Sequence, residues 1–160
     1  IIESFSILLL KHANTGISSV LHRQLDTCVK FINEKQIQKD VEIITDKKFE
    51  EIAKIYREND CFVLFSNYET FSCVAVEALA SGLQLISTDV GVVSSLSNDL
   101  VYKVIPKDIP KLSEAMLSVY ENELAIPSEI LANSVEFCHE KVVLDRLLAL
   151  YEDVIQTEYA

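Results

Sequence analysis

Two glutamates in the stretch "SNYETFSCVAVEALASG", residues 66–82, are the best candidates for chemistry in this sequence. Glu69 lies in a turn-like segment, and Glu77 follows after seven residues, inside a run that otherwise resembles a buried helix. A helix over Ser72–Ser81 puts Glu77 about five residues from its start, a rise of ~7.5 Å. A carboxylate in such apolar surroundings is partly desolvated and needs hydrogen-bond donors.

The start of that helix suggests what the two carboxylates could bind. A helix N-terminus has unpaired backbone N–H groups and partial positive charge, which suit an anion such as a diphosphate. Glu69 and Glu77 would repel phosphate but could accept hydrogen bonds from sugar hydroxyls, and a phosphate joined to a polyol is a nucleotide sugar. The plainer interpretation is a solvated Glu69 and a half-exposed Glu77 that reaches water, and spacing alone favours it.

The elements that must position these residues follow from the pattern along the chain. Apolar β-like runs alternate with helical patterns, which predicts an α/β fold with a doubly wound parallel sheet of about five strands, Rossmann-like in type. The run "CFVLFS" has the composition of a central strand covered on both faces. The predicted strands are Ser6–Leu10, Val41–Thr45, Cys61–Ser66, Leu83–Thr88 and Leu100–Ile105.

Helical periodicity fills the segments between the strands. The predicted helices are Ile17–Glu34, Lys48–Arg57, Ser72–Ser81, Lys111–Tyr120 and a closing amphipathic helix over "VVLDRLLALYEDVI". We expect the closing helix to face the core of its own domain rather than a partner. Ligands of such folds bind beyond the carboxyl ends of the strands, which is where the loop with Glu69 lies.

Length, charge and cysteine usage limit the number of domains and the classes of partner and ligand. The 160 residues fit one domain, and 14 Lys+Arg against 25 Asp+Glu give a net charge of −11. This balance disfavours nucleic acid and anionic membranes as partners, so any phosphate must be held locally. The apolar runs are too short for a membrane span or a signal peptide, and we expect a soluble, cytoplasmic protein. The four cysteines and three histidines have no metal-ligand spacing.

The stretch Asn59–Gly91, "NDCFVLFSNYETFSCVAVEALASGLQLISTDVG", resembles the donor-binding core of retaining GT-B-fold glycosyltransferases of the GT4 type, or glycosyl transferases group 1. The shared pattern is an apolar strand, an aromatic-Glu turn, Glu-x7-Glu, a "EALASG" helix end and a "TDVG" strand end. The similarity continues through Val101–Asn122 to a strand, a "P-x-D" turn and a helix. On this resemblance the whole chain, residues 1–160, is one nucleotide-sugar-binding domain, the C-terminal half of a GT-B enzyme.

The resemblance implies a role for each site residue. Glu77 would accept hydrogen bonds from the ribose of the donor nucleotide. Glu69 would be the catalytic carboxylate, which contacts the transferred sugar and stabilises positive charge at its anomeric carbon. Backbone N–H groups would hold the sugar and diphosphate oxygens. These donor-binding groups belong to Thr70, Phe71, Ser72 and Cys73.

The sequence departs from the family pattern in its first part. The family's Arg and Lys after the first strand, which neutralise the diphosphate, correspond to Lys11 or His12 and to Thr15, so Lys11 is the candidate cation. In this register an edge strand and its helix are missing between Thr45 and Lys48. An alternative register makes "SILLL" the second strand. The family's "EGFG" and "GG-x-P-E" read "ETFS" and "GVVSS" here.

Two functions remain open at this point. The first is the donor half of a transferase that moves a hexose from a UDP- or GDP-sugar to a glycan or lipid-linked acceptor, in bacterial polysaccharide biosynthesis. Its partner would be an N-terminal acceptor domain, through which any membrane contact would run, and neither metal nor cofactor is expected. The isolated domain would be inactive. The second is a degenerate, non-catalytic binding or structural module of the same fold.

Overall fold

A six-stranded sheet organises the part of the chain that the computed structural model describes, namely residues 8–11, 16–20, 25–36, 38–44, 47–121 and 125–158. Its strands are β1 (Leu8–Lys11), β2 (Gly16–Val20), β3 (Val41–Ile44), β4 (Cys61–Leu64), β5 (Gln84–Thr88) and β6 (Tyr102–Val104). Their order across the sheet is β3-β2-β1-β4-β5-β6.

Six helices lie in the described ranges: the first three connect strands of the sheet, and the last three follow β6. They are α1 (Leu25–Lys35), α2 (Phe49–Arg57), α3 (Cys73–Ala80), α4 (Ile109–Tyr120), α5 (Ser128–Asn133) and α6 (Glu140–Glu158), with 3-10 turns at Gly91–Ser95 and Glu136–Cys138. Local sequence explains where several begin. The carboxylate of Glu51 accepts a hydrogen bond from the Lys48 N–H at the start of α2, and Asp108 accepts one from the Lys111 N–H at the start of α4, both at 3.0 Å.

The strand directions confirm the predicted α/β, Rossmann-like class and add one departure. Strand β4 is parallel to β5, β5 to β6, and β2 to β3, whereas β1 is antiparallel to both of its neighbours. The spatial order is the one usual for doubly wound nucleotide-binding sheets. The sheet therefore has the expected arrangement, with six strands instead of about five and with one strand reversed.

The reversal of β1 corrects the predicted helix Ile17–Glu34. The first residues of that segment form strand β2, in which Ile17 pairs with Leu10, and helix α1 begins only at Leu25. Residues 12–15 are the whole connection between β1 and β2, and a parallel crossover needs at least about ten residues. The two strands must therefore run antiparallel, and the β-branched residues of the segment suit that role.

The place of the missing family element is corrected as well. We expected an edge strand and its helix to be absent between Thr45 and Lys48. Instead β3 is itself the edge strand, paired with β2, and α1 connects the two. The shortened connection is the one between β1 and β2. Predictions for Ser6, His12, Thr15 and Thr45 concern positions outside the described residues.

Alternating side chains of β4 build two cores, one on each face of the sheet. Phe62 and Leu64 are fully buried against α3, in a cluster that also contains Ala78 and Leu79. Cys61 and Val63 point to the other face, where Ala115 of α4 is packed. Because both faces of β4 are covered, its run is apolar throughout, as the sequence predicted.

Helix α6 departs from its prediction as a core-facing helix. Its large apolar side chains are between 42% and 64% exposed. They are Val143, Leu144, Leu147, Leu148, Leu150, Tyr151, Val154 and Ile155. The amphipathic pattern predicted the helix correctly but could not specify what covers it. Of the helices in the described ranges, none has the length and hydropathy needed to cross a membrane.

Candidate functional site

The candidate site lies where β4 ends and α3 begins, at the carboxyl edge of the parallel strands. Strand β4 ends at Leu64, residues 65–72 form a loop, and α3 starts at Cys73. Helix N-termini of doubly wound folds point to ligands at this edge. Glu69 is half-buried in the loop, while Thr70 and Phe71 are exposed beside it. These four predicted site residues, Glu69, Thr70, Phe71 and Cys73, therefore lie on one loop and helix start.

Two contacts, one from the end of β5 and one from the 3-10 turn that follows it, hold this loop in place. The Thr88 hydroxyl donates a hydrogen bond to the Ser66 carbonyl at 2.6 Å, and the Val92 N–H donates one to the Phe71 carbonyl at 2.8 Å. Gly91 packs between them with a positive φ of 53°, and a β-carbon there would lie 2.7 Å from the carbonyl oxygen of Phe71 and 3.1 Å from the Glu69 β-carbon. The "TDVG" strand end thus fixes the loop through a position that only glycine fits.

Ser72 caps α3 in an unusual way. Its backbone is left-handed, with φ 70° and ψ 70°, and its side chain makes no capping hydrogen bond. Ser72 is buried, and its hydroxyl oxygen has no hydrogen-bond partner within the described ranges. The backbone ladder of the helix starts with the Ala75 N–H donating to the Ser72 carbonyl at 3.1 Å. Buried hydroxyls and strained backbone both carry a cost, which ligand contacts commonly offset.

Glu77 lies on the second turn of α3 and is half-buried. The helical period of this segment would turn Cys73, Val76, Leu79 and Ala80 toward the sheet. In the structure Ala75, Ala78 and Leu79 are the buried residues, whereas Cys73 and Ala80 are exposed. Glu77 therefore lies at the margin of the core, as expected for a partly desolvated carboxylate.

Tyr56 of α2 is a contact of Glu77 that the sequence analysis missed. Its hydroxyl donates a hydrogen bond to Oε2 of Glu77 at 3.4 Å. Burial raises the pKa of Tyr56 well above its ordinary value, and the negative charge and hydrogen bond of Glu77 raise it further. The two residues are 21 positions apart, so no local pattern could have joined them.

The register of β1 corrects the predicted position of Lys11. Lys11 pairs with Gly16, and its neighbour Leu10 pairs with Cys61, the first residue of β4. The backbone of Lys11 therefore lies at the amino end of β4, whereas Ser72 lies beyond its carboxyl end. A strand rises ~3.3 Å per residue, which separates the two positions by roughly 15–20 Å. The structure does not bring Lys11 together with the other predicted site residues.

A different cation lies at the carboxyl edge of the sheet. Lys103 of β6 is level with Ser87 of β5, and its ammonium group is 3.1 Å from a carboxylate oxygen of Asp89. Lys103 is largely covered, with 19% of its side chain exposed, while 59% of the Asp89 side chain is exposed. As for metals, no group of three or more His, Cys, Asp or Glu residues in the described ranges could hold an ion.

Comparison with known proteins gives one family and a set of related folds. Residues 22–135 match the family model described as "Glycosyl transferases group 1". No curated protein matches the chain.

Solved structures of similar fold include several that are named as glycosyltransferases. A sucrose-phosphate synthase from Thermosynechococcus elongatus is 20% identical with a TM-score of 0.71, covering 88% of this chain and 38% of its own. A lipopolysaccharide outer core galactosyltransferase is 18% identical with a TM-score of 0.70, covering 84% and 39%. The C-terminal domain of a glycosyl transferase group 1 family protein from Francisella tularensis is 22% identical with a TM-score of 0.60, covering 78% and 69%. The chain thus spans about two fifths of the first two proteins, and these likenesses establish its fold.

Proposed function

The chain belongs to the glycosyl transferases group 1 family, and from this we propose that it is the donor-binding domain of a retaining glycosyltransferase of the GT4 type. In this proposal a nucleotide sugar binds at the carboxyl edge of β4, over the start of α3. The reaction transfers a hexose from a UDP- or GDP-sugar to a glycan or lipid-linked acceptor in bacterial polysaccharide biosynthesis.

One arrangement carries the proposal: two glutamates flank a helix start whose buried Ser72 hydroxyl lacks a partner among the described residues. The N–H groups of Thr70, Phe71, Ser72 and Cys73 would bind the diphosphate and sugar oxygens. There they would stabilise the charge that builds on the leaving group. An incoming phosphate or sugar oxygen within reach of Ser72 would also satisfy the hydroxyl that is otherwise unpaired.

The two glutamates would bind different parts of the donor. Glu77 would accept hydrogen bonds from the ribose hydroxyls, since a carboxylate has acceptor sites on both oxygens. Glu69, which lies against Gly91 in the clamped loop, would contact the transferred hexose and stabilise positive charge at its anomeric carbon. This scheme needs neither a metal nor another cofactor, since the helix start and loop N–H groups supply the stabilising charge.

We propose that residues 1–160 form one domain and that a second, acceptor-binding domain of the same enzyme completes the active site. The exposed apolar side chains of α6 support a partner surface, because apolar residues clustered on a helix are stabilised when they are covered. On this proposal the enzyme is cytoplasmic, the isolated domain is inactive, and any membrane contact runs through the second domain.

A degenerate, non-catalytic module is the second candidate, and the position of Lys11 favours it. Because the backbone of Lys11 lies at the amino end of β4, away from the proposed diphosphate site, β1 does not provide the cation expected beside the diphosphate. Such a module would keep the scaffold and bind nucleotide sugars weakly or not at all. The two candidates make opposite predictions for donor binding.

Calorimetric titration of UDP- and GDP-linked sugars into the wild type and Glu77→Ala tests the proposal. We expect saturable binding of one nucleotide class to the wild type and a loss of about tenfold or more in affinity for the variant. Glu129→Ala, a change at an exposed glutamate on α5, is the matched control and should bind like the wild type. Absence of binding by every nucleotide sugar would favour the degenerate module, and equal binding by Glu77→Ala would remove Glu77 from the donor site.

A further inference from the structure

The contact between Tyr56 and Glu77 joins α2 to the proposed donor site. The phenol hydroxyl donates to Oε2 of Glu77 at 3.4 Å, a long hydrogen bond to a half-buried carboxylate. Hydrogen bonds in ligand-free sites are often long and tighten when the ligand binds. A bond to a charged acceptor becomes strong once it shortens, so on ligand binding this contact can fix the orientation of the carboxylate.

Tyr56 is held firmly enough to orient another side chain. It is 5% exposed and belongs to the same core cluster as Phe62 of β4. The two rings meet edge to face, with centroids 5.7 Å apart and an interplanar angle of 84°. Ile52 and Ile55 of α2 pack against the same cluster. The phenol is thus anchored by packing, while Glu77 extends from the margin of α3.

The chemistry of a vicinal diol requires an oriented carboxylate. A carboxylate has about four lone-pair sites on its two oxygens, and a diol is bound best when both oxygens face both hydroxyls. A glutamate side chain on a helix margin otherwise samples several rotamers and loses that freedom on binding. A donor fixed on Oε2 reduces this entropic cost and leaves further lone pairs on both oxygens for the diol.

We infer that Tyr56 is the positioning residue for Glu77, holding its carboxylate so that the site prefers ribonucleotides to nucleotides that lack the ribose hydroxyls. This inference rests on the proposed function, because it assigns Tyr56 to the same donor site. Tyr56 acts through Glu77 and does not itself contact the nucleotide. A phenol is protonated, and therefore a donor, throughout the neutral range, and the raised pKa of Tyr56 extends this to alkaline pH.

Calorimetry with UDP and GDP and with their 2′,3′-dideoxy counterparts tests the inference on the full chain. Tyr56→Phe removes the hydroxyl and keeps the ring. We expect it to lower the affinity for the ribonucleoside diphosphate by about tenfold and the affinity for the dideoxy analogue by less than twofold. Tyr151→Phe, which removes an exposed hydroxyl of α6, is the control and should change neither of the two affinities. An equal loss for both ligands, or no loss for the ribonucleotide, overturns the inference.

A second measurement separates this inference from the proposed function. In urea unfolding, Tyr56→Phe, Glu77→Ala and the double variant form a cycle that needs no nucleotide, since one change removes the donor and the other the acceptor. We expect the two changes to be coupled, with the double variant deviating by at least about threefold in the unfolding equilibrium constant from the product of the single effects. Independent effects overturn the positioning role. If the cycle shows coupling but no ribonucleotide binds the wild type, the proposed function fails, and with it the preference for ribose.

Discussion

Gly91 and Phe71 approach each other so closely that a β-carbon at Gly91 would lie 2.7 Å from the carbonyl oxygen of Phe71. The Val92 N–H donates to that same carbonyl at 2.8 Å. The turn after β5 therefore fixes the loop before α3 through backbone contacts, which cannot shift as a flexible side chain can. This relationship makes the "TDVG" segment part of the candidate donor site without contributing a side chain to it.

Gly91→Ala should destabilise the protein and displace the loop. The new methyl group would meet backbone atoms at a position with φ 53°, where an L side chain is strained. We expect a loss of about 1–3 kcal/mol in the free energy of unfolding, measured in urea, together with weaker nucleotide-sugar binding. Ala80→Gly, an exposed change at the end of α3, measures the cost of an ordinary glycine exchange. An unchanged loop, seen as unshifted amide resonances of Thr70 and Phe71, would contradict the tight packing.

The sequence predicted the middle of this fold well because its signals there are local. Strand β4, helix α3 and strand β5 each follow from a contiguous pattern, and Gly82 ends the helix with a positive φ of 82°. Ile17 and Val20 fit the helical period and the β-branched preference of strands equally well, so their segment is compatible with either element. The length of the connection at residues 12–15 decided between them, because it forbids a parallel crossover.

Contacts between segments that are distant in the chain could not be predicted from local sequence patterns. Tyr56 and Glu77 come together only because α2 and α3 pack on the same face of the sheet. The assignment of Lys11 to the site requires that β1 run parallel to β4. The strand β1 is instead antiparallel to β4, which places Lys11 at the amino end of β4. The short connection after Lys11 makes β1 and β2 antiparallel to each other, but which of them runs parallel to β4 is a property of the whole sheet, so no motif around Lys11 could reveal it.

Tyr56 should make the protein less stable at alkaline pH. Its pKa is raised in the folded state by burial and by Glu77, so the unfolded state releases its proton first. The stabilising contribution is full below the ordinary tyrosine pKa of about 10 and is lost as the pH rises above it. Urea unfolding between pH 8 and 11 should show a steeper decline for the wild type than for Tyr56→Phe. Parallel curves would contradict the raised pKa.

The described thiols should react in a fixed order. Cys73 is exposed at the start of α3, Cys138 is half-buried with a raised pKa, and Cys61 is fully buried with a strongly raised pKa. A raised pKa lowers the thiolate fraction at a given pH and slows reaction with a disulfide reagent. At pH 8 we expect labelling of Cys73 first, Cys138 next and Cys61 only on unfolding. Site-resolved mass spectrometry reads each thiol, including Cys28, separately, and early labelling of Cys61 would refute the buried β4.

Ser72→Ala should have opposite effects on stability and binding. The Ser72 hydroxyl oxygen is buried and unpaired within the described part of the chain, so its removal relieves a desolvation cost. We expect the free energy of unfolding to stay equal or rise by up to ~1 kcal/mol. Affinity for a nucleoside diphosphate should fall, because the ligand would lose a hydrogen-bond partner. Ser113→Ala on the exposed face of α4 is the control, and a clear loss of stability in Ser72→Ala would indicate that the hydroxyl has a structural partner.

The apolar face of α6 should contribute little to the stability of the chain by itself. Leu147 is 45% exposed, whereas Leu131 of α5 is fully buried in the core beneath α3. Leu147→Gln should therefore change the free energy of unfolding by less than about 0.5 kcal/mol, while Leu131→Ala should cost about 2–5 kcal/mol. Urea unfolding at two protein concentrations measures both variants and detects self-association. If Leu147→Gln costs as much as Leu131→Ala at the lower concentration, α6 is covered within the chain, and its role as a surface for a second domain is lost.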